Sequence, residues 1–368
     1  MQPINSAVDT YSRIFALDYS TNSVKVFTAD ELEDEVFSFG NGILNLNQHG
    51  SVMPDIKILS ADPVEVEDEV VMAADDENTE VTFTFTLANN NLVASFIKVT
   101  DGVETFTFAN DELTGSKGGT GTFNVYAGTV TVTFNSAPTA EVTASYKYHG
   151  ADKIFVSDSF NHCVRVFNLN GVLQATIGSH GTANGKFNLP SGLELNADKS
   201  QLHVVDSYNH RISVFNASTY AFVQNYGSLG HLAASGIYYP TDIAISTTNS
   251  YVTDTGHNRI VKFVFSDGAW AEASSGYVVK DFKAIENSDR LAVLGLVANV
   301  GRTGFHCTDT FISTIQNFND SWVKQTDNST IGHTAGKTFL PRGLAMSGNS
   351  NLVVSDTGNS RLQVLDLS

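Results

Sequence analysis

The chain has 368 residues, of which 39 are acidic and 21 are Lys or Arg, so its formal net charge is −18. A nucleic-acid partner is therefore not expected, because binding phosphates needs a basic face, and neither is an anionic membrane surface. With 29 Gly, 10% aromatic residues and no sustained helical periodicity, the composition predicts an all-β protein. No apolar run approaches the roughly 18 residues of a membrane-spanning helix, so no membrane insertion is expected.

The chain begins with MQPINSAVDTYSRIFALDYS, which has no basic stretch followed by an apolar core. The segment therefore predicts no signal peptide, and we expect the protein to be made in a host cytoplasm. A role outside the cell would then require release by lysis or as part of a particle.

A hairpin pattern opens with RIFALDYSTNSVKVFTAD at Arg13 and recurs at Lys153, Gln201, Asn249 and Asn351. Each copy has an apolar run that ends in Asp, a turn of small or polar residues, and a second alternating run, which is typical of a β-hairpin. A branched apolar residue follows six positions after each Asp, so the copies share one register. The repeated aspartates are Asp18, Asp158, Asp206, Asp254 and Asp356.

The spacing of the copies predicts the architecture. The three middle aspartates are each 48 residues apart, and the last follows after 102, or twice 51. A degenerate copy is therefore predicted from Phe305, with Asp309 and Ile312 in a shortened turn. A period of about 40 to 50 residues with four strands per unit indicates a propeller blade, and six blades result. Prolines that would open the innermost strands lie 14 to 16 residues before the Asp: Pro3, Pro190, Pro240 and Pro341.

The repeated core, D-[ST]-x-x-N-[HR]-[IV]-x-V-F, and the upstream GKFNLPSGL at residues 185–193 resemble the repeats of NHL-repeat β-propellers. The resemblance covers most of the chain outside the insertion described next, and it implies a six-bladed propeller. It says far more about fold than about function, because one fold supports many functions.

An insertion interrupts the second blade. Asp18 and Asp158 are 140 residues apart, 92 more than one period, so the blade begins at Pro54 and its second strand resumes only after residue 150. The predicted domains are the propeller, residues 1–61 and 151–368, and an inserted domain, residues 62–150. Segments such as EVTFTFTLAN and TVTVTFNS alternate apolar and polar residues between Gly and Asn turns, which predicts an Ig-like β-sandwich. Its 14 acidic residues against 3 lysines give a net charge of −11.

Residues 82–148 of the insertion carry a second resemblance. The TG…GTGTxN turn, the AGTVTVTF strand and the ASYKY end are similar to a small β-sandwich repeat of tailed-phage structural proteins. The sequence departs from that family at Val93 and Ala94, where Pro-Gly is frequent. The resemblance implies a protein of a phage particle.

The last blade reaches the end of the sequence on its third strand, RLQVLDLS. An open sheet edge is therefore predicted at Arg361, Leu362, Val364 and Leu365, where an extended segment of another chain could dock. In a rival arrangement, residues 1–10 supply the fourth strand and close the ring within one molecule.

The repeated Asp could in principle surround a cation, but its presence in every blade favours a structural role. In that role it accepts N–H bonds from the following residues or pairs with an arginine of its own turn. His162 and His210 occupy one slot in successive blades and are interpreted as packing residues rather than ligands. Cys163 and Cys307 fall in different blades and are expected to be buried thiols. The arginines of the turns are Arg211, Arg259 and Arg361.

No catalytic residue, metal or cofactor is predicted. Six-bladed lactonases and lyases hold a metal in the central channel through Glu, Asn, Asp or His, whereas the inner strands here are mostly small and apolar, with Lys57 and Glu194 as exceptions. A loose Ca²⁺ site in the acidic run between Glu65 and Glu77 stays open as an alternative.

These features predict a non-enzymatic structural or adhesion component of a phage virion, in the tail, baseplate or fibre apparatus, with capsid decoration as the next choice. The expected location is the virion, in a multimeric assembly. Expected partners are other virion proteins, and a host surface protein or glycan. Two alternatives stay open: a cytoplasmic NHL-type protein-interaction scaffold, and a propeller hydrolase or lactonase.

Overall fold

A computed structural model describes most of the chain. The described residues are 1–9, 12–28, 35–46, 52–109, 112–230, 236–257, 259–266, 269–272, 293–299, 303–309, 313–319, 324–327, 329–347 and 351–367. Their regular secondary structure is almost entirely β-strand, and they form two compact units. One unit comprises Met1–Leu59 and Ile154–Ser368, and the other comprises Ser60–Lys153; the sequence placed the insertion at residues 62–150.

The first unit is a six-bladed β-propeller, in which each blade is an antiparallel sheet whose strands follow one another in the chain. The sequence prediction of this fold is confirmed. Blade 1 contains Pro3–Val8, Arg13–Asp18, Ser23–Thr28 and Glu35–Phe39; blade 2 contains Ile56–Leu59, Lys153–Asp158, Cys163–Phe167 and Leu173–Ile177; blade 3 contains Pro190–Leu195, Gln201–Asp206, Arg211–Asn216 and Phe222–Tyr226. Blade 4 contains Pro240–Ile245, Asn249–Asp254, Arg259–Ser266 and Ala269–Glu272; blade 5 contains Val293–Ala298, Gly304–Asp309, Thr314–Asn319 and Lys324–Asp327; blade 6 contains Leu344–Ser347, Asn351–Asp356 and Arg361–Asp366.

Short helices and a small parallel pair complete the propeller. A 3-10 turn joins the second and third strands of four blades, at Ser159–Asn161, Ser207–Asn209, Thr255–His257 and Thr357–Asn359. Thr330–Ile331 pairs in parallel with Lys337–Thr338 on the way into blade 6. Among the described residues no helix has the length and apolar character needed to cross a bilayer.

The ring closes because the first strand of each blade packs against the first strand of the next, and the last blade packs against the first. Where blades 6 and 1 meet, the hydroxyl of Thr357 donates to the carbonyl of Pro3 at 2.8 Å. A Cβ added to Gly343 would lie 2.3 Å from Oδ1 of Asn5, so only glycine allows this approach. Apolar contact joins the blades further out, where Phe39 of blade 1 lies 5.1 Å from the Phe167 ring of blade 2.

Blade 5 corrects one detail of the sequence prediction. Asp309 pairs with Thr314 across the turn, as Asp206 pairs with Arg211 in blade 3, so four residues separate the paired positions in both blades. The predicted shortened turn is therefore wrong, and the buried residue six positions after Asp309 is Ile315. Ile312 lies outside the described residues.

Blade 6 has three strands within the described part of the chain, and Arg361–Asp366 forms its outer edge. The rival arrangement is wrong, because Pro3–Val8 pairs with Arg13–Asp18 as the first strand of blade 1. These residues therefore do not complete the last sheet.

The second unit is a curled antiparallel sheet around its own apolar core, which includes Phe106, Val130, Val132 and Tyr146. Its eight strands are joined by hydrogen bonds into one sheet, whereas the sequence predicted the two sheets of a sandwich. In sheet order the strands are Val64–Met72, Val142–Tyr148, Lys98–Thr100, Thr105–Ala109, Glu112–Gly115, Thr120–Asn124, Thr129–Thr133 and Thr82–Thr86, and a 3-10 turn spans Ala94–Phe96. Strand alternation thus predicted the strands and the core, but not the pairing.

Candidate functional site

The repeated Asp of each blade turn is a structural centre. In blade 3 the Asp206 carboxylate has no exposed surface, and its Oδ1 accepts the amide of Asn188 at 2.7 Å. Its Oδ2 accepts Nδ2 of Asn209 and Nε of Arg211, each at 2.8 Å. The carboxylate therefore ties its own turn to the segment that enters the blade.

The other copies repeat this arrangement, and each of the five aspartates is 0% exposed. The sequence suggested that the residues after each Asp donate these N–H bonds. Instead, the main amide donors lie in the segment that precedes the first strand of the blade. The donors are Gln2 for Asp18, Asn45 for Asp158, Tyr238 for Asp254 and Phe339 for Asp356. In blades 2, 3, 4 and 6 both oxygens accept hydrogen bonds within the ring, so these four carboxylates are not available to a common ligand. Asp18 differs, because its Oδ1 accepts from Gln2 and Ser20, whereas its buried Oδ2 has no hydrogen-bond partner among the described residues.

The arginines predicted to pair with these aspartates do so. Arg211, Arg259 and Arg361 each donate Nε to Oδ2 of the Asp in their own blade. In blade 2 the same role falls to Arg165, two positions further on, at 3.0 Å from Asp158. Arg259 is 2% exposed, so its charge is almost wholly compensated inside the blade.

His162 and His210 connect neighbouring blades. Both have left-handed backbone angles, with φ of 53° and 54°, at the end of the turn. Nδ1 of His162 accepts the amide of Leu189, and Nδ1 of His210 accepts the amide of Tyr239, at 3.0 and 3.1 Å. Burial and the neighbouring His180 lower the pKa of His162, which keeps the ring neutral and able to accept. Their predicted packing role is therefore confirmed.

A cluster of charged residues lies on the inner strands of the ring, and the sequence analysis identified only half of it. Lys57 and Glu194 form an ion pair, with Nζ to Oε2 at 3.1 Å. Asp55 and Asp242 complete this axial cluster, and both are 5% exposed. The interpretation of the inner strands as mostly small and apolar is therefore wrong, because they carry four charged side chains among the described residues.

The two aspartates also join blades to one another. Asp55 accepts the amide of Leu193 in blade 3 at 2.7 Å, and Asp242 accepts the amide of Leu296 in blade 5 at 2.7 Å. A Cβ added to Gly192 would lie 2.5 Å from Oδ1 of Asp242, so a glycine is needed beside the carboxylate. The signal that could have found them was an Asp one or two residues after the proline at the start of an inner strand, as in Pro54-Asp55 and Pro240-Thr241-Asp242.

Burial shapes the electrostatics of the axial cluster. It raises the pKa of Asp55 to about 6, against the attraction of Lys57. It also raises the pKa of Asp242 well above its usual range, and the charge of Asp55 acts in the same direction. Burial alone would lower the pKa of Lys57, but the charges of Glu194 and Asp55 outweigh it and raise that pKa. Lys57 is thus the cation that these carboxylates share.

No group of three or more His, Cys, Asp or Glu side chains in the described part of the chain is arranged to hold a metal ion. In the inserted unit the acidic run from Glu65 to Glu77 spans the strand Val64–Met72 and the turn after it. Glu65 pairs with Lys147 at 3.3 Å, and Glu69 accepts from the amide of Ala88. The two cysteines, Cys163 and Cys307, are buried thiols, as predicted.

One place on the turn face differs from the rest of the ring. Three tyrosines and two histidines of blades 3 and 4, all half-buried, contact one another there. Tyr238 and Tyr239 lie 4.4 Å apart between ring centroids, and His210 stacks on Tyr238 at 5.2 Å. The positions of Tyr238 and Tyr239 hold Asn188 and Leu189 in blade 3. This aromatic patch consists of Tyr208, His210, Tyr238, Tyr239 and His257.

At the predicted docking edge, a partner chain would meet mainly backbone groups, because most of the side chains point into the core or pair within the blade. Leu362 and Leu365 are each 8% exposed and pack into the core. Val364 packs partly against the same core, and Arg361 pairs with Asp356. What the edge presents to a partner is therefore its line of N–H and C=O groups.

One protein-family model supports the propeller fold. The model of a family described as a 6-bladed beta-propeller, DUF5128, matches residues 137–227. Among solved structures, a streptogramin B lyase is 10% identical over 100% of this chain and 94% of its own, with a TM-score of 0.48. The β-propeller domain of Cps50 (Swd1) from Myceliophteria thermophila is 7% identical over 100% and 97%, with a TM-score of 0.46.

A chain of a nidogen/laminin complex is 16% identical over 58% of this chain and 72% of its own, with a TM-score of 0.40. No curated protein matches. Likenesses this distant carry no argument about activity or partners. The blades, their closure and the matched family model together make this chain a six-bladed β-propeller with a second β-sheet unit inserted in its second blade.

Proposed function

We propose that this protein is a non-enzymatic structural or adhesion component of a phage virion, placed in the tail, baseplate or fibre apparatus or, failing that, on the capsid. In this role the propeller is a rigid platform for protein or glycan partners, and the assembly is multimeric. The phage origin rests on the sequence resemblance of residues 82–148 to a repeat of tailed-phage structural proteins.

The aromatic patch is the observation that carries the binding role. Tyrosine offers a large, rigid and amphipathic contact area and is enriched in binding hot spots. The polar groups of the blade turns are already used inside the ring, as the contacts of Asp206 illustrate. A partner on this face would therefore meet the half-buried rings of Tyr208, Tyr238 and Tyr239 as its main aromatic anchors.

The edge at Arg361–Asp366 supplies a second contact in this proposal. An extended segment of another virion protein would add a fourth strand to blade 6 through main-chain hydrogen bonds. Such pairing would order the edge and fix the propeller in the particle.

Quantitative mass spectrometry of particles purified from the source tests the virion role. We expect the protein at a fixed, stoichiometric copy number in intact particles. Tyr239→Ser should lower incorporation about tenfold, because it removes one aromatic anchor. Val223→Ser, at an exposed position on the outer strand of blade 3, is the matched control and should incorporate normally. Absence from particles would overturn the virion role and favour the cytoplasmic scaffold.

The axial cluster is the one observation that favours the alternative of a propeller hydrolase or lactonase, because three carboxylates converge on the channel. Lys57 opposes that alternative, since an ammonium group already neutralises the carboxylates where an added cation would have to bind.

A further inference from the structure

A groove opens between blades 3 and 4 at the ends of the strands opposite to the aromatic patch. It has a volume of about 280 Å³, near the lower end of the range for small-ligand sites. One wall is the turn between the first two strands of blade 3, and the other belongs to blade 4. The lining residues used below are Asp198, Ser200, Gln201, Thr247, Phe265 and Trp270.

The groove arises from a local break in the repeat. The third strand of blade 4, Arg259–Ser266, has 8 residues, whereas its counterpart in blade 3, Arg211–Asn216, has 6. The extra residues pair Phe265 with Trp270 across the last hairpin. In blade 3 the position of Phe265 is held by Ala217, which is fully buried, while Phe265 is 42% exposed. Blade 4 therefore presents an aromatic ring where the repeat alone would not.

Trp270 makes this wall rigid. Its indole stacks on Tyr226 with ring centroids 5.5 Å apart, and it meets His203 edge-on at 5.4 Å. Burial lowers the pKa of His203 to about 3, so the wall carries no positive charge near neutral pH. The buried indole N–H has no hydrogen-bond partner among the described residues, whereas most buried polar groups in proteins have one.

The opposite wall and the floor are polar. Hydrogen bonds from the hydroxyl and the amide of Ser200 hold the pKa of Asp198 below its usual range, so Asp198 is a carboxylate over the working pH range. Gln201 and Thr247 add an amide and a hydroxyl. Among the described residues the lining contains no Lys or Arg, so Asp198 would repel a negatively charged ligand.

We propose that this groove binds a neutral carbohydrate of one or two sugar rings. The apolar face of a pyranose would lie on Phe265 and Trp270, and its hydroxyl groups would donate to Asp198 and exchange hydrogen bonds with Gln201 and Thr247. The inference deepens the binding role proposed above and rests on it, but it does not depend on a virion location.

Saturation-transfer NMR on the full chain tests the groove. The probes are the methyl glycosides of glucose, galactose, mannose and N-acetylglucosamine, with N-acetylneuraminic acid as the anionic comparison. We expect saturation transfer to at least one neutral sugar and none to the anionic one. Transfer to no neutral sugar by the folded protein, or to the anionic sugar alone, would overturn the proposal.

Two variants locate the binding. Phe265→Ala should weaken binding about tenfold, because it removes the exposed half of the stacking surface, and Asp198→Asn should weaken it through lost hydroxyl contacts. Phe96→Ala is the matched control, since Phe96 is 50% exposed but lies in the inserted unit. Both groove positions are exposed, so folding should be retained, which circular dichroism checks. Sugar binding that survives both groove substitutions contradicts the site. A protein that is found in particles but binds no sugar would refute the groove and leave the virion role standing.

Discussion

Replacing Lys57 with methionine is expected to lower the free energy of unfolding by about 3–5 kcal/mol at pH 8. The change removes the cation shared by three buried carboxylates and leaves Glu194 without its ion pair, and breaking a buried pair from one side costs energy of this size. Lys57 is 20% exposed, so solvent screens only part of the loss. Denaturant-induced unfolding measures the difference.

The cost of Lys57→Met should shrink at pH 5. Because folding raises the pKa of Asp55 to about 6, this carboxyl contributes stability that is fully present below about pH 4 and is lost as the pH rises through about 6. At pH 5 the folded protein can protonate Asp55 and so needs the cation less. A cost that is equal or larger at pH 5 would contradict the proposed charge sharing.

Lys25→Met is the matched control for this substitution. Lys25 also forms a salt bridge, and its side chain is about as exposed as that of Lys57, but its partner Glu35 is 34% exposed whereas Glu194 is 5% exposed. Surface pairs contribute about 0–1 kcal/mol, so the control should change the free energy of unfolding by less than 1 kcal/mol at either pH. Adding Glu194→Gln to Lys57→Met should recover part of the lost stability, since it removes one uncompensated charge.

Replacing Asp206 with alanine is expected to destabilise the propeller by about 3–5 kcal/mol. The substitution leaves the partly buried amide of Asn188 without its acceptor and removes the carboxylate that pairs with Arg211. Asp198→Ala is the matched control, because Asp198 lies in an exposed turn of the same blade and should cost less than 1 kcal/mol.

Thermal and chemical unfolding of both variants give the comparison. Asp206→Asn should cost less than Asp206→Ala, because Oδ1 of asparagine can still accept the amide of Asn188. If Asp206→Ala unfolds like the wild type, the repeated Asp is not the structural centre of its turn.

The architecture of the ring could be predicted from the sequence because each blade contains the same short hairpin pattern, and the pattern recurs along the chain. The Asp that ends each second strand, and the branched residue six positions later, fix the hairpin register in every copy. Proline at the start of Pro190–Leu195 and Pro240–Ile245 locates the first strands. The 92 residues by which the spacing from Asp18 to Asp158 exceeds one period revealed the insertion.

The axial cluster was harder to predict because it is a property of several blades at once. Asp55 and Asp242 belong to blades 2 and 4, and no pattern within either blade shows that the two carboxylates share Lys57. The groove at Phe265 follows from two extra residues in one strand, which a search for the shared pattern disregards. The single sheet of the inserted unit was missed because alternation shows which face a residue occupies, but not which strands pair.

We propose that the buried polar groups of this ring hold its blades together and that the protein binds rather than catalyses. Metal analysis of the purified protein, combined with a screen of lactone and ester hydrolysis, tests it most directly. The account predicts metal far below one ion per chain after dialysis, and no turnover beyond that of Glu194→Gln. One tightly held metal ion per chain, with turnover that Glu194→Gln abolishes, would contradict it.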